Sequence, residues 1–131
     1  MLKMLKQSQN MKLKTFDPVE VVADSAEMAF NQIAEFDGGG IGAFWSEAGD
    51  TSPWEMHPDC DELLHVMEGA VTLEVLPSDG GPSVTQHIKS GAYCVVPQGC
   101  WHRQTLLKRT KEMYLTPGIT LHSSAADPRV G

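Results

Sequence analysis

From about residue 40 to about residue 117 short apolar or alternating segments are divided by turn residues, a rhythm of strands and tight connections. The predicted strands read IGAFWSEA, SPWEMH, ELLHVM, AVTLEVLP, SVTQHIKS, AYCVVP, CWHRQTLL and KEMYLTP, with GDT, PDCD, EG, SDGGP, G, QG and KRT between them. Eight short strands predict an all-β sandwich or barrel of jelly-roll type. The clearest hairpin is AVTLEVLP-SDGGP-SVTQHIKS, where Val71, Leu73 and Val75 alternate with Thr72 and Glu74 before a Gly-Gly-Pro turn.

Upstream of the strands the pattern is ambiguous. Asp24 or Ser25 can N-cap a short helix over residues 24–37 that carries Met28, Phe30, Ile33 and Ala34 and ends at Gly38. An edge strand is the alternative, and helix is the preferred assignment. Met11 opens a second plausible start, MKLKTFDP, so residues 1–10, with Leu2 and Leu5 as a weak helical pair, are expected to be a disordered extension. The expected organisation is that extension, an N-terminal arm over 11–39, a β-barrel domain over 40–118 and a tail over 119–131.

A chain of 131 residues, 41% hydrophobic and 21% charged, suits one domain with a real core. Its net charge of −7 argues against counterion-driven binding to nucleic acid or to an anionic membrane surface. The acids are also concentrated: residues 17–88 carry fifteen Asp and Glu and no Lys or Arg. A segment of that kind attracts cations, which makes a metal ion a better candidate than a phosphate. No apolar run is long enough to span a membrane and the N-terminus lacks signal-peptide features, so a cytoplasmic location is expected. Cys60, Cys94 and Cys100 show no CxxC spacing and are expected to be reduced thiols.

Two segments carry the candidate chemistry. The first runs Gly49, five residues, Glu55, Met56, His57, four residues, Glu62, six residues, Gly69. The second runs Gly91, five residues, Pro97, Gln98, Gly99, two residues, His102. Residues 55 and 57 are two apart on a strand and share a face, while Glu62 and His102 each open another strand. Imidazoles and carboxylates converging from three strands suit a borderline divalent cation.

These segments resemble the two motifs of the cupin family, small double-stranded β-helix domains. The family's first motif has His-x-His where this chain has Glu55, Met56 and His57, and its second ends in Asn where this chain has Leu106. The resemblance implies a cupin-type jelly roll over roughly residues 40–118, with a short N-terminal segment that can be helical. It places His57, Glu62 and His102 in the metal-ligand positions. Glu55, at the departure in the first motif, is either a fourth, oxygen ligand or a catalytic general base. As a ligand its carboxylate hardens the set and moves preference from copper toward Fe(II), Mn(II), Ni(II) or Zn(II). With Glu55 outside the set, two His and one carboxylate leave positions open for water or substrate, as in non-haem iron oxygenases.

Other residues receive plainer assignments. Cys60 reads as a loop thiol, Trp101 as packing on the far face of its strand, and His65 and His87 as ordinary strand residues. Gln104 shares the face of His102 and can offer a hydrogen bond to a substrate, whereas Arg103 is expected to point away. Leu64, Val66, Val71, Leu73 and Val75 are expected to line an apolar interior that admits a small organic molecule. His122, in the tail, receives no place. Residues 40–48 are expected to form an exposed edge strand that needs cover, and a homodimer is expected to supply it.

Two functions are consistent with these features. One is a metal-dependent enzyme acting on a small organic substrate, dioxygenase- or isomerase-like, with one divalent ion as cofactor. The other is a non-catalytic cupin that binds or senses a metal or small ligand. Neither takes nucleic acid or a membrane as partner. Glu55 discriminates them, because three protein ligands leave the metal open for chemistry and four close it.

Overall fold

Asp17 and Pro18 start the one helix among the described residues. The computed structural model describes residues 11–49 and 51–130, so the expected extension over 1–10, with its Leu2 and Leu5 pair, lies outside them. Helix α1 (Pro18–Ala23) is capped by the Asp17 side chain, which accepts a hydrogen bond from the Val19 N–H at 3.0 Å, and Pro18 occupies the first turn where no N–H is needed. It buries Val22 and stops at Asp24.

The helix preferred for residues 24–37 is not formed. Asn31–Phe36 is instead strand β1, which pairs antiparallel with β2 (Gly39–Ser46). The cause lies in the connection. Asp37 (φ 52°) and Gly38 (φ 81°) both adopt left-handed backbone, and Asp-Gly is the dipeptide that tolerates this in a two-residue hairpin. Once the hairpin forms, Ile33 packs with Val22 and Ala43 as a small core under the helix. β1 also corrects the expected exposed edge at 40–48, because β2 lies between β1 and β9.

All eight predicted strands are present. They are β2, β3 (Trp54–Met56), β4 (Glu62–Glu68), β5 (Ala70–Leu76), β6 (Val84–Lys89), β7 (Tyr93–Val96), β8 (Trp101–Leu106) and β9 (Thr110–Thr116). A further strand from the tail, β10 (Leu121–Ser123), pairs with β3. One five-stranded sheet has the order β1-β2-β9-β4-β7 and the other β10-β3-β8-β5-β6. Strands at both ends of the chain thus extend the sheets beyond residues 40–118.

The inward faces meet in a core of Phe44, Leu64, Val66, Val71, Leu73, Ile88, Val96 and Leu106. Val75 packs half-buried against it. This core fills one end of the space between the sheets, and the other end is left to polar side chains. No helix among the described residues is long and apolar enough to cross a membrane.

Gly69 and Gly91 both have positive φ, but a Cβ at Gly69 would strike the backbone of Arg109 and Thr110, whereas one at Gly91 would meet nothing within 4 Å. Gly91→Ala is therefore expected to cost about 1 kcal/mol for left-handed backbone alone. Gly69→Ala should cost about 3 kcal/mol, because displacement of packed backbone is added. Urea unfolding of the two variants checks the difference.

Candidate metal centre

The segments that hold the candidate ligands are stitched together by their turns. The Gly99 N–H donates to the His57 carbonyl at 3.0 Å, the Gln98 N–H to Asp61 Oδ1 at 2.8 Å and the Gln98 side-chain amide to the Pro58 carbonyl at 2.7 Å. The Pro97-Gln98-Gly99 turn is thereby fixed on the loop between His57 and Glu62. Glu55 stands opposite His102 in the β3–β8 pairing, and His57 follows directly after β3.

Glu55, His57, Glu62 and His102 each place one ligand atom within 4.8 Å of the others. Three of the four are buried, and the Glu55 side chain is 38% exposed at the margin. Glu62 is central. Its Oε1 lies 3.1 Å from His102 Nε2, its Oε2 lies 3.2 Å from His57 Nε2, and Thr116 Oγ1 donates to Oε2 at 2.6 Å. Glu55 Oε2 is farther out, 3.9 Å from His102 Nε2.

The outer nitrogen of each imidazole is already engaged. His102 Nδ1 lies 3.2 Å from the Cys100 carbonyl oxygen; His57 Nδ1 lies 3.3 Å from the Ile119 carbonyl oxygen and 3.1 Å from Thr120 Oγ1. A carbonyl oxygen only accepts, so Nδ1 carries the proton in both rings and Nε2 presents a lone pair to Glu62. Two neutral imidazoles would then face a carboxylate acceptor to acceptor. Stability requires positive charge between them, either as protons on the rings or as a cation. His57 Nε2 in addition lacks a hydrogen-bond partner among the described residues despite its proximity to Glu62. The donor set therefore fits a divalent ion, with backbone carbonyls orienting the rings from behind.

Without metal the cluster polarises itself. Burial alone would raise Glu62, but the hydrogen bonds from His102 and Thr116 and the close, charged ring of His57 bring its carboxyl down to about 2. Burial pulls His57 down, yet the close carboxylate of Glu62 outweighs it and holds the imidazole above its ordinary value.

Several other residues reach this region. His122, unplaced from the sequence, stands in register with Glu55 through β10, and its Nε2 lies 3.4 Å from Glu55 Oε1. Thr116 reaches Glu62 from the end of β9, beside β4, while Ile119 and Thr120 reach His57 because the chain after β9 folds back across the cluster; no motif spacing signals them. Glu112, fully buried on β9, was also missed, although an acid in the alternating segment KEMYLTP was a visible anomaly. Gln104 faces the cavity as expected; Arg103, expected to point away, also lines it while pairing with Glu74 at 2.7 Å and lying 4.1 Å over the Trp54 ring. Cys60 accepts from the Gly118 N–H at 3.2 Å and is a loop thiol; Trp101 is half-buried. His65 stacks on Tyr93 and His87 contacts Thr72, both outside the cluster.

The four cluster residues line a cavity of about 660 Å³ whose walls include Phe30, Phe44, Leu64 and Tyr114. That volume suits a small organic molecule.

No protein-family model matches the chain, and no curated protein matches it. Solved structures do. A protein with a double-stranded β-helix domain from Klebsiella pneumoniae superposes with a TM-score of 0.67 at 16% identity, covering 87% of this chain and 100% of that one. A hydroquinone 1,2-dioxygenase from Sphingomonas sp. TTNP3 with 4-hydroxybenzoate bound gives 0.61 at 17% identity, covering 83% and 74%. Another hydroquinone 1,2-dioxygenase, in complex with Cd2+ and 4-hydroxybenzonitrile, gives 0.59 at 22% identity, covering 75% and 69%. At these identities the likeness is one of fold, and it agrees with the cupin-type jelly roll described above.

The charge balance of the cluster sets a pH dependence in chelator-treated protein. Glu62 is held below its ordinary 4.5, so its contribution to stability is present above pH 4.5 and is lost as the pH falls toward 2. His57 is raised above 6.5, so its contribution is complete below 6.5 and is lost as the pH rises through its folded value. Glu62→Gln is expected to flatten the stability profile in both windows, by up to about 1.4 kcal/mol per pH unit in the acid one. Urea titrations across pH would show it; parallel profiles for variant and wild type would contradict the assignment.

Proposed function

We propose that the protein is a small metal-dependent enzyme in which His57, Glu62 and His102 hold one divalent ion and Glu55 serves proton transfer at the cavity mouth. The observation that carries this reading is the pair of imidazoles anchored at Nδ1 by backbone carbonyls, with both Nε2 lone pairs aimed at Glu62. The two dioxygenases of like fold support it, one with a divalent ion and both with small aromatic ligands.

Two neutral His, one buried carboxylate and one marginal carboxylate balance a divalent ion in charge. When bound, the ion would supply Lewis-acid polarisation or, as iron, access to oxygen chemistry, which makes the reaction dioxygenase- or isomerase-like. The chain's own residues do the rest. Thr116 and Thr120 fix Glu62 and His57, and the aromatic and aliphatic walls exclude water from the inner cavity. Glu55, partly exposed and beside His122, exchanges a proton between solvent and the cavity through its carboxylate oxygens.

A metal-holding binding module is the rival reading, because Glu55 lies within ligand reach of the other three. Elemental analysis of protein purified without chelator or nickel resin is expected to give about one ion per chain. His102→Ala should lose it while remaining folded, and equal metal in variant and wild type would overturn the ligand assignment. Glu55→Ala should weaken metal affinity about ten-fold rather than abolish it. Iron directs the search to oxygen uptake with aromatic substrates, and zinc, manganese or nickel to isomerisation. Full metal without turnover in either screen would establish the binding module.

A further inference from the structure

The inward row of β9 continues away from the cluster, from Thr116 past Tyr114 to Glu112 and Thr110. Glu112 stands in register with Phe44 of β2 and Val66 of β4 and has no exposed surface. Neither of its carboxyl oxygens has a hydrogen-bond partner among the described residues, and the same is true of Gln104 Oε1. Both side chains line the cavity. Buried polar groups in folded proteins are paired, and one left unpaired is a cost that a fold retains where it is used. Burial, and then the charge of Glu62, push the Glu112 carboxyl up to about 8, with the nearby Gln104 amide opposing and Glu55 adding.

The strand registers give the spacing. Val66, beside Glu112, lies four residues beyond Glu62 on β4, about 13 Å along the strand. Gln104 lies two residues beyond His102 on β8, about 7 Å along. Between Glu112 and the cluster the walls are Leu64 and Tyr114; Phe44 stands beside Glu112, and Phe30 packs on Phe44 with ring centroids 4.7 Å apart. The cavity thus has a charged end at the cluster, an apolar and largely aromatic waist, and a second polar end rich in acceptors.

We propose that Glu112 and Gln104 form a second ligand subsite, which accepts a hydrogen bond from the hydroxyl or amino group of a small, flat substrate whose body lies along the aromatic waist. The proposal rests on the small-molecule reading of the cavity and is independent of which metal is held. It narrows the substrate class to molecules carrying an O–H or N–H donor on an apolar frame.

Three probes of similar size test it on the full chain as purified: phenol, benzylamine and toluene, with binding followed by calorimetry or ligand-observed NMR. Wild-type protein is expected to bind phenol or benzylamine roughly ten-fold tighter than toluene, the worth of one well-made hydrogen bond. A lead for phenol assigns a neutral hydroxyl donor, and a lead for benzylamine an ammonium. Glu112→Leu should bring the donor probe within about two-fold of toluene and raise the melting temperature, since an unpaired buried carboxyl is replaced by a hydrocarbon. Should that variant not fold, Gln104→Leu is expected to reduce the same preference several-fold. Equal affinity for all three probes, no saturable binding of any, or a preference that survives these substitutions would overturn the proposal. Metal content separates it from the metal reading: Glu112→Leu keeps the wild-type content, whereas His102→Ala loses the metal and keeps the probe preference.

Discussion

The structure turns on one electrostatic constraint. Two imidazoles whose Nδ1 protons are committed to backbone carbonyls face the same buried carboxylate, so positive charge must lie between them. In the metal-free protein that charge can only be protons, which is why Glu62 is depressed and His57 raised. A divalent ion would answer the same need. Proton and metal therefore compete for one place, and affinity for the ion must fall as the solution is acidified.

The fold is arranged to keep this constraint from relaxing. The Gly99, Gln98 and Asp61 hydrogen bonds tie the second turn to the first loop, so His102 cannot move relative to His57 without breaking backbone contacts. The end of β9 and the chain after it close the other side, bringing Thr116 onto Glu62 and Ile119 and Thr120 onto His57. β10 then pins that segment by pairing with β3. The apolar core at the opposite end of the barrel supplies the stability that such a polar cluster cannot.

Much of this was legible in the sequence, and the reasons for the rest are physical. Strand alternation over residues 40–117 is a local property of the chain, so every predicted strand is present. The convergence of residues 55, 57, 62 and 102 was legible because fixed motif spacing converts directly into strand register. Residues 31–36 misled because their helix-like apolar spacing is local, whereas the Asp37-Gly38 turn and the open edge of β2 decide the matter through pairing. Thr116 and His122 were hidden for a different reason. Their roles depend on which residues lie across the barrel, and nothing in their own neighbourhood encodes that.

The departure in the first resembled motif then has a positional explanation. Glu55 stands where the cupin pattern has an imidazole, and an extra carboxylate beside Glu62 would be costly in a dry site. It is placed at the margin, where 38% of its side chain meets solvent and its charge is screened. An imidazole is present there after all, one strand over: His122 of β10 stands opposite Glu55 and reaches its second oxygen. The pair keeps an imidazole and a carboxylate in contact at the mouth while leaving the inner face of the cluster to three residues. A motif search sees a lost ligand, whereas the sheet register shows the cluster's exposed corner rebuilt from the C-terminal strand.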